Sequence, residues 1–167
     1  MTSNELFEEV ANSTQPDFFP PATPQELAHG EQALGRPLPE LLRRLYGVAN
    51  GGFHDVLGLT REAMDDGFSA IGLYQGWTQQ GEDEGYEAWA WPAAMLPFAY
   101  HGCTTFSCLD LDTGRVYSFD PNTFIEKDAD FELEEGEEPP APTTPEEFRE
   151  LFVPEADSLE AWFSAQL

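Results

Sequence analysis

The stretch that decides the fold is PATPQELAHGEQALGRPLPELLRRLYGVANGGF, residues 21–53. Thr23, Pro24 and Glu26 carry a capping box: threonine at the N-cap, proline at the first helical position, glutamate at the third. They predict a helix to about Leu34. Gly35 ends it, because glycine takes the left-handed conformation at no steric cost. A second helix then starts at Pro37 or Pro39. Its apolar residues Leu38, Leu41, Leu42, Leu45, Tyr46 and Ala49 recur at helical spacing and form one stripe to be buried, while Arg43 and Arg44 fall off it toward solvent. Asn50, Gly51 and Gly52 predict an abrupt left-handed stop that releases the chain into a first strand, FHDVLGL, residues 53–59.

Upstream, residues 1–20 read as an N-terminal extension. A short amphipathic helix over residues 1–12 puts Leu6, Phe7 and Val10 on one side, and STQPDFFPPA then breaks it and docks Phe18 and Phe19 onto the core. Downstream, SAIGLYQGWTQQ (69–80) predicts a helix with Ala70, Leu73, Tyr74 and Trp77 on one face, weakened by Gly72 and Gly76. GEDEGYEAWAW (81–91) is a loop or a ragged strand. Three strands follow at residues 95–100, 104–111 and 115–120, the last two joined by Asp112-Thr113-Gly114 as a hairpin with Gly114 at positive φ. The middle strand is apolar on both faces and belongs at the centre of a sheet.

Residues 125–133 alternate apolar and charged in the manner of an edge strand, and residues 134–143 form an acidic, proline-rich loop. Thr144-Pro145-Glu146-Glu147 repeats the capping signal before a helix bearing Phe148, Leu151 and Phe152. Pro154 interrupts. Asp157 or Ser158 then caps a final helix that buries Leu159, Trp162 and Phe163, with Leu167 at its end. Together these segments predict an α+β fold: a single domain with an antiparallel-rich central sheet and helices from both ends of the chain packed against it.

The chain has 167 residues, enough to bury about 70% of its unfolded surface around one core. Its 32 acidic against 7 basic residues give a net charge of −25 at pH 7. That field repels nucleic acid and anionic lipid and attracts cationic partners at rates that fall with salt. The N-terminal MTSNELFEEV lacks the basic and apolar regions of a secretory signal, and no apolar run approaches the 18 or so residues of a membrane span. A cytoplasmic setting is expected, with Cys103 and Cys108 as buried or partly buried thiols rather than zinc ligands.

No catalytic motif appears: no HExxH, GxSxG, P-loop or GxGxxG. His54 and Asp55, adjacent on a strand, would point to opposite faces, and His101 two residues before Cys103 does not make a pair by spacing alone. DLDTG (110–114) resembles part of a calcium loop but lacks its closing glutamate. No catalytic residue, metal or cofactor is assigned. The informative region is where Trp77, Tyr86, Trp89 and Trp91 alternate with Glu82, Asp83, Glu84 and Glu87. Either these rings face the core, or they anchor a partner whose positive charge the carboxylates steer and pair. The candidate partner-binding residues are Trp77, Glu82, Asp83, Glu84, Tyr86 and Trp89, joined by Glu132, Glu134 and Glu135 of the acidic run.

With the opening stretch, MLPFAYHGCTTFSCLDLDTGRVYSFD (95–120) and TTPEEFRELF (143–152) in place, the chain resembles the SUKH superfamily, the group related to fungal cell-wall synthesis regulators. The matching positions are Gly35, Leu38, Pro39, Tyr46, Asn50, Gly51, Gly52, Leu96, Pro97, Gly102 and Asp110, and the resemblance implies that they are architectural. It also implies a non-enzymatic immunity protein of a bacterial polymorphic toxin system, which binds and neutralises a cognate toxin, often a nuclease. The charge makes a basic toxin the natural partner, met by a monomer or weak dimer. The alternative from the same resemblance is a regulatory scaffold for endogenous proteins.

Overall fold

The computed structural model describes residues 2–12, 19–60, 68–123 and 141–166. Within them the chain forms α1 (Ser3–Asn12), α2 (Pro24–Leu34), α3 (Glu40–Tyr46), α4 (Ala70–Glu82), a 3-10 turn (Glu87–Trp89), β1 (Met95–Tyr100), β2 (Phe106–Asp110), β3 (Val116–Phe119), α5 (Pro145–Arg149), β4 (Phe152–Ala156) and α6 (Leu159–Gln166). The strands build one antiparallel sheet in the order β1-β2-β3-β4. This is the expected α+β architecture, with β2 interior and its Phe106, Cys108 and Leu109 buried.

The local signals act as they read. Thr23 Oγ1 accepts from the Glu26 backbone N–H at 3.2 Å and the Glu26 carboxylate accepts from the Thr23 N–H at 2.8 Å, closing the capping box. Gly35 ends α2 at φ 67°. The stripe from Leu38 to Ala49 is buried throughout, and α1 lays Leu6 and Val10 on the core beside it. The Arg44 guanidinium covers the Phe7 ring at 4.1 Å, tying α1 to α3 from outside. Ser69 caps α4 through its hydroxyl, and Leu159, Trp162 and Phe163 are buried as expected.

Four expectations need correction. The second helix stops at Tyr46 with Gly47 as its C-cap, not at Asn50, and Gly47 sits in the right-handed region at φ −69°. The left-handed glycines, Gly51 and Gly52 at φ 96° and 85°, come after a further turn. FHDVLGL is not a strand. His54 and Asp55 both take positive φ, so the chain doubles back there. It meets the sheet in one bridge, Val56 to Ala99, in which the Leu57 N–H donates to the Phe98 carbonyl and the Tyr100 N–H donates to the Asp55 carbonyl.

Phe152 does not continue a helix but opens β4, a strand whose Pro154 masks its pattern. Proline is tolerated in outer strands, where a missing N–H need not break a ladder, and both strand prolines, Pro97 in β1 and Pro154 in β4, lie on outer strands. Cys103 is exposed, because Gly102, Cys103 and Thr104 form a tight left-handed turn between β1 and β2; only Cys108 is buried. The expected edge strand at 125–133 and the loop at 134–143 fall outside the described residues, apart from residues 141–143.

Candidate functional site

A cavity of about 500 Å³ opens between α4, the 3-10 turn and the sheet. Helix α4 supplies one wall. Its Ala70, Ile71 and Tyr74 are buried, while Leu73, Trp77 and Gln80, three and four residues apart, face the cavity. The Tyr74 hydroxyl donates to the Ala93 carbonyl at 3.0 Å, which fixes the helix against the approach to β1. The floor is aromatic. Trp91 is buried, its indole N–H donates to the Met95 carbonyl at 2.8 Å, and its ring lies 4.5 Å from that of Trp77 and 5.1 Å from that of Phe119. Trp77 meets Phe106 edge to face at 5.1 Å. Trp89 leans on Phe148 at 5.3 Å, and α5, capped by Thr144, holds Phe148 in place.

Gly81 makes this arrangement possible. A Cβ there would come within 2.8 Å of the Ala90 Cα and 3.0 Å of the Trp89 carbonyl oxygen, so any side chain would drive the 3-10 turn away from α4. The candidate binding residues divide accordingly. Trp77 and Trp89 are half-buried walls rather than free anchors, Trp91 belongs to the core, and Tyr86 stands 47% exposed at the mouth. Glu82, Asp83 and Glu84 are exposed in the turn linking Gln80 to Tyr86, both of which line the cavity. Among the described residues no basic side chain pairs with these three. Arg36, Arg43 and Arg115 instead pair with Asp112, Glu31 and Asp157 at 2.5, 3.4 and 3.6 Å. Glu132, Glu134 and Glu135 fall outside the described residues.

The family-motif residues lie elsewhere. Leu38, Tyr46 and Leu96 are buried, Pro97 sits in β1 beside a register shift, and Pro39 is the N-cap of α3. Gly35 and Gly102 hold left-handed turns. Asn50 is fully buried, and its Oδ1 accepts from the Leu59 N–H at 2.8 Å. Burial pushes the Tyr46 phenol well above its ordinary range. Gly51 packs so closely on the chain at residues 57–58 that a Cβ would meet the Gly58 nitrogen at 2.5 Å. The Asp110 carboxylate accepts from the Asp112 N–H at 2.9 Å and the Thr113 hydroxyl at 2.7 Å, which closes the β2–β3 hairpin.

One polar cluster was not legible in the sequence. His101 Nδ1 lies 3.3 Å from Asp55 Oδ2, and its Nε2 lies 2.7 Å from Ser107 Oγ. This is the hydrogen-bond order of an acyl-transfer triad. Ser107, however, is fully buried on the interior strand β2. Its hydroxyl also donates to Glu155 at 2.7 Å and accepts from the Trp162 indole N–H at 3.2 Å. A hydroxyl has one proton and two lone pairs, so His101, Glu155 and Trp162 use its whole capacity and leave it nothing for an incoming carbonyl. The cluster braces β1, β2, β4 and α6 together. Burial first, and the Glu155 carboxylate second, push the nearby Cys108 thiol well above its ordinary range, which suits an inert core thiol.

Among the described residues no group of three or more His, Cys, Asp or Glu side chains is arranged to hold a metal ion, and no helix is long and apolar enough to cross a membrane. A comparison with curated proteins finds no match. The sequence pattern of the SMI1 / KNR4 family (SUKH-1) matches residues 21–164, which span the capped helices, the whole sheet and most of α6. A match over so much of the chain places it: this protein belongs to the SMI1 / KNR4 (SUKH-1) family.

Proposed function

We propose that this protein is a non-enzymatic immunity protein that binds a cognate, basic, nuclease-type toxin domain and occludes it. The family is known for immunity-type proteins. The observation that carries the reading is the pairing of an open aromatic cavity with Glu82, Asp83 and Glu84, which have no basic partner among the described residues. Arg36, Arg43 and Arg115 are matched by carboxylates elsewhere; here negative charge is left over beside apolar surface. A nuclease is cationic where it grips phosphate, so an inhibitor covering that surface gains from an anionic face.

The test is association kinetics against the toxin domain encoded beside this chain's gene, with protection of cells as the second readout. The association rate constant falls steeply as salt rises, and changing Glu82, Asp83 and Glu84 to Gln, Asn and Gln flattens that dependence. Failure to bind or protect against any neighbouring toxin domain ends the proposal. Stable capture of several endogenous proteins instead marks a regulatory scaffold.

A further inference from the structure

We propose that the aromatic cavity is the socket for one large apolar side chain of the protein partner, in a segment where that side chain is flanked by lysine or arginine. The inference rests on the partner-binding reading above and names what the site takes. Among the described residues no charged side chain lines the cavity, and the polar side chains on its wall are Gln80, Thr104, Tyr86 and Tyr100. The Thr104 hydroxyl is already engaged with Asp120 and Asn122. A cationic head placed inside would lose its hydration with no carboxylate among the described lining residues to replace it. The apolar part of a partner therefore enters and its charges stay outside.

The mouth supplies what those charges need. Glu82, Asp83 and Glu84 lie between two lining residues, Gln80 and Tyr86, and Glu87 follows directly. A further carboxylate, Asp120, lies between lining residues Phe119 and Pro121 and keeps its charge while accepting from Thr104, Thr105 and the Asn122 N–H. The mouth is thus anionic on more than one segment around an apolar interior, and an aromatic or aliphatic anchor with basic neighbours matches both parts. The half-buried rings of Trp77 and Trp89 give such an anchor edge and face contacts without a change in the core below them.

Calorimetric titration with three nonapeptides tests this. The first carries one phenylalanine flanked on each side by a lysine-arginine pair. The second replaces the phenylalanine by serine, and the third replaces the basic pairs by glutamate-aspartate pairs. The first binds at least tenfold more tightly than either other. Tyr86→Ala, a change at an exposed ring that leaves the circular dichroism spectrum unaltered, weakens the first by about tenfold and the second hardly at all. Equal affinity for the phenylalanine and serine peptides, or no binding of any at millimolar concentration, overturns the socket. So does tight binding of the uncharged probe N-phenyl-1-naphthylamine that the first peptide does not displace, which would make the cavity a small-molecule site. In each of those cases a wild-type protein that still protects against its toxin loses only the socket, whereas one that neither binds nor protects loses the immunity reading as well.

Discussion

The corner after α3 and the cavity beside α4 are both built from glycine, aromatic and polar residues, yet they spend them differently. At the corner, Asn50 is turned inward onto the Leu59 N–H, Gly51 lies against backbone, and the arginines nearby are matched by Glu31, Asp112 or Asn4. At the cavity, buried rings carry half-buried ones above them, and Glu82, Asp83 and Glu84 beside them have no basic partner among the described residues. The corner's acceptor and glycines are taken up by the fold, though the buried Asn50 Nδ2 and Tyr46 hydroxyl have no hydrogen-bond partner among the described residues, whereas the cavity's charges are left over. Motif density in the sequence marks geometry here: asparagine and two glycines in a row draw the eye, and they shape the corner.

That contrast can be broken by substitution. The largest effect is expected from Gly51→Ala, which must relieve both a positive φ and a 2.5 Å approach to the Gly58 nitrogen. It lowers stability by about 2–4 kcal/mol, read from the urea midpoint. A loss near zero would mean that the corner yields and is no scaffold. Asn50→Ala comes next, at about 1–2 kcal/mol, since it strands the buried Leu59 N–H.

Tyr86→Ala, at the cavity mouth, changes stability by less than about 0.5 kcal/mol while weakening binding of the proposed partner by about tenfold or more. A destabilisation comparable with that of Asn50→Ala would erase the distinction between the two regions. The smallest effect concerns acid. The Ser3 hydroxyl, donating to Glu160, holds that carboxyl below its ordinary range and so ties α1 to α6. A lowered folded value contributes stability above the unfolded value of about 4.3 and loses it as pH falls through the folded one. Below about pH 4, amide exchange in α1 should therefore quicken before exchange in the sheet, and Ser3→Ala should remove the difference.

Local signals were legible and distant ones were not. The capping box at Thr23, the N-cap hydroxyl of Thr144, the left-handed Gly35 and Gly114, and the apolar stripe of α3 act within a few residues and appear where the sequence puts them. The exception is that the Glu147 carboxylate accepts from the Thr143 N–H and so leaves the second box half formed. Strand β4 was hidden because five residues with a central proline give no alternation to read. The turn at His54 and Asp55 was misread as strand because positive φ at such residues follows from contacts made elsewhere. The Asp55–His101–Ser107–Glu155 cluster is closed by bonds between residues 46 and 48 positions apart, and no spacing rule reaches that far. For the cavity, the alternation of rings and acids named Trp77, Tyr86 and Trp89, but the convergence of Phe68, Phe106, Phe119 and Phe148 on them is a product of the tertiary fold.

The placement of Pro97 and Pro154 has a consequence for how anything can attach. The outer side of β1 is occupied by the chain at residues 55–57, whose backbone exchanges hydrogen bonds with Phe98 and Tyr100, and the outer side of β4 is interrupted by Pro154. A visiting polypeptide finds no continuous row of donors and acceptors to extend the sheet with a fifth strand. Recognition is left to side chains, and the protein is spared from polymerising through the edges of its own sheet.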